Sequence, residues 1–547
     1  MVCLSGSCGV SSSPVHGRQV GVRPGISPPA INATGGARRE AGVIGLLEGT
    51  HEPGCGVLAG SRLARRLPAA SMRPVRRLLA APLIALLAAA CAAPAAASPA
   101  QLTFFEAGSR LLEPRHESAT FAQLKDLGVH ALRLELRWSA VAPAPTSARA
   151  PRFDATDPSR YAWGAYVSVV ARAKALGWPV LLTVTGPAPR WATSNRRAPY
   201  VTRPDGLAFE RFMTAVGREF STKVALYSIW NEPNHPAFLM PQWTASGNPA
   251  SPAIYRHLYQ HGYDGLLAAG LRHPKVLFGE TAPAGYTRVT PSREGLLHAV
   301  APLAFLRSAF CLDSGYRRAG SCAKLQIAGF ADHPYSKAVG PTWVPPGGDD
   351  VTIGSLSRLS SALDGAAAAG AIPAATPIYL TEFGVQSYPN RRLGVPVATQ
   401  AEYDAVAERI AYDNPRVAGF SQYLLRDDPL GGAPGASVHG GTVGFQTGLE
   451  YASGGHKPLY EGWRLPLAVY PRSGGSSLWG LVRPSSAPTT VSVLAGPSSS
   501  RLRILTHVRT DPLGYWTLET PTSAAVWRVR WRSPAGRTYE GAAVAPY

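Results

Sequence analysis

From Ser98 to about Leu465, short apolar runs alternate with longer stretches in which apolar residues recur at three- and four-residue spacing. The short runs read as buried strands and the longer stretches as helices with one apolar face. Strands are predicted at Leu102–Glu106, Ala131–Leu136, Val180–Thr185, Leu226–Trp230, Lys275–Gly279, Gln326–Ala331, Pro377–Thr381 and Val417–Leu425. Helices are predicted at Ala119–Leu127, Tyr161–Leu176, Leu207–Phe220, Ile254–Leu271, Gly295–Phe310, Leu356–Ala369 and Gln400–Tyr412. Eight strands alternating with helices describe an α/β chain folded as a (β/α)8 TIM barrel with generous loops. A doubly wound open sheet is the structural alternative, and the glycine-rich phosphate loop expected after its first strand is missing.

Beyond Leu465 the period changes. Ser476–Val482, Thr489–Leu494, Leu502–Val508, Tyr515–Glu519 and Ala525–Trp531 are separated by Pro, Gly, Ser and Asp turns at roughly ten-residue intervals. Residues 466–547 therefore read as a small all-β sandwich, immunoglobulin-like in pattern, after a barrel over 98–465. In the last run a period of two places Trp527, Val529 and Trp531 on one face and Arg528, Arg530 and Arg532 on the other. Two readings stay open for those tryptophans, a packed core or an aromatic platform for sugars.

The N-terminal region departs from both patterns. Met72-Arg73-Pro74-Val75-Arg76-Arg77, an apolar stretch from Leu78 to Ala93 and Ala95-Ala96-Ala97 follow the order of a secretory signal peptide, 72–97, too short to favour a membrane span. Residues 1–71, rich in Gly, Ser, Pro and Arg without period, are expected to be disordered or to reflect a start codon placed too early. Cys91 is the one candidate for a lipid anchor, but Ala88-Ala89-Ala90 before it matches the usual leucine-led box poorly. Of six cysteines, only Cys311 and Cys322 follow the leader; in an oxidising compartment they are expected to close a local disulfide, since no cluster with metal-ligand spacing accompanies them.

The formal charge of +20 changes little once divided along the chain. The first 97 residues hold 10 Arg and 3 Glu, which leaves 44 basic and 31 acidic residues scattered over the remainder. No basic tract tracks a phosphate backbone, so nucleic acid is not an expected partner. A monomer is expected.

Two strand ends carry chemistry. Tyr227-Ser228-Ile229-Trp230-Asn231-Glu232-Pro233-Asn234 closes the fourth predicted strand, and Ile378-Tyr379-Leu380-Thr381-Glu382-Phe383-Gly384 closes the seventh. Both carboxylates emerge at the C-terminal mouth, where barrels of this kind build their sites. A glutamate at the end of a buried strand must be paired, hydrated or neutralised, and two together suggest a working pair.

With Gly128-Val129-His130-Ala131-Leu132-Arg133, Trp138 and His333-Pro334-Tyr335, these motifs resemble the retaining glycoside hydrolases of clan A, which include families 5 and 39. The resemblance covers most of 98–465. It implies that Glu232 is the general acid/base, Glu382 the nucleophile, and Asn231 the residue that holds the sugar 2-hydroxyl. It implies further that Arg133 and Tyr335 steady the nucleophile, with His333 beside them. Arg133 and His333 also have plain structural readings, as an ion-pair partner and a satisfied core histidine. Trp191 is the leading candidate for a sugar platform, with Trp243 and Trp343 behind it. Many clan members place a tryptophan on the eighth strand; here Gln422 or Tyr423 stands in that region.

The expected function is a secreted hydrolase of a β-linked oligosaccharide or polysaccharide. A silent carbohydrate-binding or cell-wall-associated barrel is the alternative. The chemistry requires two carboxyls and water, so no cofactor or metal is implied. Two environments must hold the two pKa values apart. Arg133 and Tyr335 are expected to keep Glu382 charged, and its charge to keep Glu232 protonated.

Overall fold

The computed structural model of the protein describes residue 98 and residues 101–195, 197–429 and 444–547. The leader, the preceding segment and Cys91 lie outside the described residues. Eight parallel strands close into a barrel in chain order, β1 (Leu102–Glu106), β2 (Leu132–Arg137), β3 (Val180–Thr185), β4 (Leu226–Ile229), β5 (Val276–Thr281), β6 (Gly329–Asp332), β7 (Ile378–Phe383) and β8 (Val417–Tyr423). Strand β8 pairs back onto β1 from Leu102↔Gly419 to Glu106↔Tyr423, so no edge remains open. Among the described residues seven helices of eight residues or more intervene, α1 (Pro114–Asp126), α2 (Gly164–Ala175), α3 (Gly206–Phe220), α4 (Ser251–Ala268), α5 (Pro302–Ala309), α6 (Leu356–Ala368) and α7 (Val397–Asp413), besides a single helical turn at Trp138–Val141.

The alternation of side chains along the strands decides where polar groups go. Phe104, Ala131, Leu181, Leu226, Leu277 and Ala331 form a separate apolar cluster contributed by β1, β3 to β6 and the residue before β2. Two residues further along, the positions in step with this cluster turn polar, as Glu106, Arg133, Thr183, Ser228 and His333, all buried. The intervening positions, among them Leu132, Leu134, Leu182, Val184 and Ile229, belong to the main apolar cluster shared with the helices. One strand sequence therefore supplies helix-facing contacts, an apolar floor and a polar mouth.

Several predicted boundaries shift for identifiable reasons. The helix expected at Gly295–Phe310 begins at Pro302, whose missing N–H and fixed φ suit a first turn; Gly295–Leu297 forms a separate 3-10 turn. The sixth strand starts at Gly329 instead of Gln326, and the fifth runs on through Glu280 to Thr281. After β8, α8 (Pro458–Arg464) leads into two antiparallel sheets. One holds β9 (Leu467–Arg472), β10 (Gly475–Leu481) and β13 (Tyr515–Thr520); the other holds β11 (Thr490–Gly496), β12 (Arg503–Arg509), β14 (Val526–Arg532) and β15 (Thr538–Glu540). Strands β9 and β15 were not expected from the pattern.

Inward residues of both sheets, including Val469, Leu478, Trp516, Val491, Trp527, Val529 and Trp531, join one apolar cluster. Trp527 and Val529 are fully buried and Trp531 nearly so, which settles these tryptophans as core and removes the platform reading. On the opposite face Arg528 and Arg530 both pair with Glu540. Cys311 and Cys322 form a disulfide with Cα atoms 6.0 Å apart. Among the described residues no helix is long and apolar enough to cross a membrane.

Candidate active site

Arg133 rises from β2 into the mouth and is fully buried. Its Nη1 donates to Glu382 Oε1 at 2.7 Å and also to Glu106 Oε2, while Nη2 donates to Glu280 Oε2 at 2.8 Å and to Asn231 Oδ1 at 3.0 Å. One guanidinium thus ties together the ends of β1, β5 and β7 and the turn after β4. Thr183 on β3 donates to the other oxygen of Glu280 at 2.8 Å. Arg133 occupies the Asn231 carbonyl, which leaves the amide NH2 of Asn231 as the donor for a ligand.

Tyr335 donates to Glu382 Oε2 at 3.0 Å, so both nucleophile-candidate oxygens are held. His333, immediately after β6, places Nδ1 3.1 Å from Glu232 Oε1 and 3.6 Å from Glu382 Oε2. The structure thus brings together six of the residues singled out in sequence: Glu232, Glu382, Asn231, Arg133, His333 and Tyr335. One oxygen of Glu232, one of Glu382 and one ring nitrogen of His333 lie within 4.8 Å of each other. These three are the atoms best placed for a cation, but the fixed positive charge of Arg133 at 2.7 Å from Glu382 opposes one.

The mouth is held under backbone strain. Trp230, Glu232 and Glu280 have φ of 67°, 38° and 49°, the left-handed region that side chains with a Cβ disfavour. Neighbouring contacts hold them there: Trp230 N donates to Val184 O, Glu232 N to Glu280 O at 3.0 Å, and the buried Trp230 indole to Phe238 O. Asn234 fastens the loop by donating to Ala282 O and Val300 O and accepting from Ala282 N.

The charge balance corrects the sequence expectation. Burial pushes Glu382 up despite the pull of His333 and Arg133. Burial also acts upward on Glu232, but the His333 hydrogen bond and charge outweigh it and hold that carboxyl low. His333 is itself pushed up to about 9, because the attraction of Glu382 and Glu232 exceeds the opposing effect of burial. With Glu232 held low and His333 pushed up to about 9, the two favour the proton on His333 over Glu232 at neutral pH. The reading of His333 as a satisfied core histidine omitted the second carboxylate that lies within its reach.

Two further site residues escaped the sequence reading. Glu106 closes β1 and Glu280 lies one residue before the end of β5, as Glu382 does in β7, and the same signal, a carboxylate near the end of an apolar strand, marks them. Burial pushes Glu106 up to about 8 against the lowering effect of Arg133.

The aromatic candidates divide. Trp191 is half-buried, its indole donating to Pro143 O at 3.2 Å and its ring set edge-on to Trp138 and Phe153, so it sits in an aromatic cluster. Trp243 is buried with its indole on His298 O, and Trp343 lies under Lys337. Gln422 is fully buried, its amide donating to Leu424 O and Thr447 O. Tyr423 is the member of that pair near the site, packed edge-on against the exposed Phe445 at 5.2 Å; Phe445 also lies 6.2 Å from Tyr335.

No family model and no curated protein matches the chain. Among solved structures the chain is similar to a glucosidase from Croceicoccus marinus at 10% identity and a TM-score of 0.48, over 79% of this chain and 95% of that one. It is similar to a family 39 glycoside hydrolase from Bacteroides cellulosilyticus WH2 at 14% identity and a TM-score of 0.44, over 77% and 81%. It also resembles a beta-glucuronidase from Bacteroides uniformis at 12% identity and a TM-score of 0.40, covering 82% of this chain and 46% of that one.

Proposed function

We propose that the protein is a retaining glycoside hydrolase acting on β-linked glycans through a covalent glycosyl-enzyme. The observation that carries this reading is the approach of Glu232 and Glu382, whose nearest oxygens lie within 4.8 Å. Retaining enzymes hold their carboxyls about 5–5.5 Å apart, and inverting ones about 6.5–9.5 Å apart to admit a water. Glu382, aligned by Arg133 and Tyr335, attacks the anomeric carbon. Those two donors hold the carboxylate's orientation and stabilise its charge before attack and after release.

Glu232 protonates the departing oxygen and later takes a proton from water. His333 supplies the missing element, because its Nδ1 lies 3.1 Å from the Glu232 oxygen that needs the proton. As the negative charge of Glu382 is spent in the new bond, the imidazolium loses its strongest attraction and the proton passes to Glu232. Asn231 presents its NH2 to a hydroxyl of the reactive sugar.

The sandwich at 466–547 takes no part in bond cleavage on this reading, and residues 72–97 direct export. N-terminal sequencing of protein from culture supernatant should find a start near Ser98; residues from 1–60 in active secreted protein would remove the leader assignment. Hydrolysis of an aryl β-glycoside, with proton NMR of the first product anomer, tests the mechanism. Net retention supports it, an inverted product overturns double displacement, and no turnover on any aryl glycoside favours a silent scaffold.

A further inference from the structure

The side chains of the polar mouth fall into two groups by accessibility. Arg133, Glu280 and His333 are closed off at 0% exposure, whereas Glu382, Glu106 and Glu232 reach solvent at 10%, 11% and 15%. A bound ligand therefore meets three carboxyls before it meets either buried cation. Double displacement uses two of them. The third, Glu106, closes β1, is buried beside β8 through the Glu106↔Tyr423 register, and shares the Arg133 Nη1 with Glu382. Whatever sugar ring lies over Glu382 also lies beside Glu106.

We propose that Glu106 reads a hydroxyl of the reactive sugar, and that the site takes neutral glycosides in preference to uronides; this rests on the hydrolase reading above. A carboxyl pairs with hydroxyls in either protonation state, and a carboxyl that holds its proton to about pH 8 both donates and accepts at neutral pH. Among the described residues, the two buried cations of the mouth offer a uronate no such complement. Arg133 is spent on Glu106, Glu280, Glu382 and Asn231, and His333 on Glu232, so the sugar carboxylate would be desolvated against acids.

The experiment measures kcat/KM of the full mature chain on 4-nitrophenyl β-D-glucoside, galactoside, mannoside, xyloside and glucuronide, with Glu106→Gln beside the wild type. Glutamine keeps an oxygen for Arg133. The wild type should favour its best neutral sugar over the glucuronide by about 100-fold, and E106Q should lower kcat/KM on that sugar by about 10- to 100-fold. Among monodeoxy analogues of the best sugar, one should lose activity in the wild type and show no further loss in E106Q, a coupling that a purely structural defect does not create. Unchanged kcat/KM in E106Q, deoxy losses that simply add in E106Q, or a wild type that prefers the glucuronide overturns the proposal.

Binding of the matching methyl glycosides, followed by NMR, separates this proposal from the hydrolase reading. No hydrolysis, with neutral-sugar binding weakened about 10-fold by E106Q, removes the hydrolase reading and keeps Glu106 as the reading residue. Hydrolysis that survives E106Q intact does the reverse, and absence of both binding and hydrolysis overturns both. Should E106Q fail a thermal-melt check, Glu106→Asp, which keeps the carboxyl group and shortens its reach, is expected to show the same deoxy coupling, and its absence there overturns the proposal.

Discussion

Glu382, Glu232, His333 and Glu106 share the protons of the site, and each has a separable effect on what it does. Glu382→Ala should lose activity on every glycoside by roughly 10⁴-fold, because no covalent intermediate forms. Glu232→Ala should keep part of its rate on substrates with good leaving groups, and azide should raise that rate by replacing the base-activated water; rescue confined to Glu382→Ala would show the roles to be exchanged. His333→Gln makes a sharper test of the hydrogen bond to Glu232. His333 is pushed up to about 9, so kcat/KM should fall only as pH rises through that region. In the Gln variant that alkaline limb should move to lower pH, with the melting temperature at pH 7 close to wild type. An unmoved limb would mean that His333 does not hold the catalytic proton. Glu106 shows how far residue-level reading reached: the logic applied to Glu232 and Glu382 applied equally to it, but only the fold places it on the Arg133 that Glu382 uses.

At the level of elements, the strained turn after β4 depends on how closely α3 and α4 approach the barrel. Gly262 and Gly265 make that approach: a Cβ on Gly265 would stand 2.3 Å from Glu210 O of α3, and one on Gly262 2.6 Å from the Ile229 side chain of β4. Gly265→Ala should therefore destabilise the protein by about 1–3 kcal/mol, although alanine is the better helix former. Thermal melting decides it, and a rise in midpoint would show that the helices part without cost. Asn234→Ala should leave buried Ala282 N–H and Val300 O groups unpaired, costing on the order of 2–3 kcal/mol and lowering activity through Glu232 two residues away. Neither the need for these glycines nor what Asn234 holds is readable in sequence, because their neighbours belong to other elements.

For the whole molecule, the barrel and the C-terminal sheets share buried contacts that a cut near Leu465 would expose. Val406 of α7 packs with Ala468, Trp479, Leu481 and Tyr515. Buried Arg483 donates to Glu408 at 2.6 Å, donates to Trp463 O and stacks over the Trp463 ring at 3.9 Å. A chain ending near Leu465 should accordingly lose stability, while a folded remnant should keep its activity on a small aryl glycoside. Asp404 lies in the same seam, fully buried beside Glu408 and pushed up to about 7 by burial. Its folded pKa exceeds its unfolded one, so the native state binds the proton more tightly and stability falls as pH rises from about 4 through 7. Asp404→Asn should remove that loss, raising stability by on the order of 2 kcal/mol at pH 8 and little at pH 4. Denaturant titrations at the two pH values test it; an equal gain at both would mean that ionisation is not the cause.

The barrel was legible in the chain because strand and helix periods are local: eight apolar runs and the helical stretches between them are set by which face each residue must bury. The two motif carboxylates were legible because a charge at the end of a buried strand is conspicuous whatever surrounds it. Strand β15 was not, since the three residues of Thr538–Glu540 carry too little alternation to stand out, and their place depends on pairing with β14. Nor was the order of proton affinities. Glu232 and Glu382 are separated by 150 positions in the chain, and His333 and Arg133 come from other strands. Which carboxyl keeps a proton depends on distances of 3 to 4 Å between them, and closure of the barrel sets those distances.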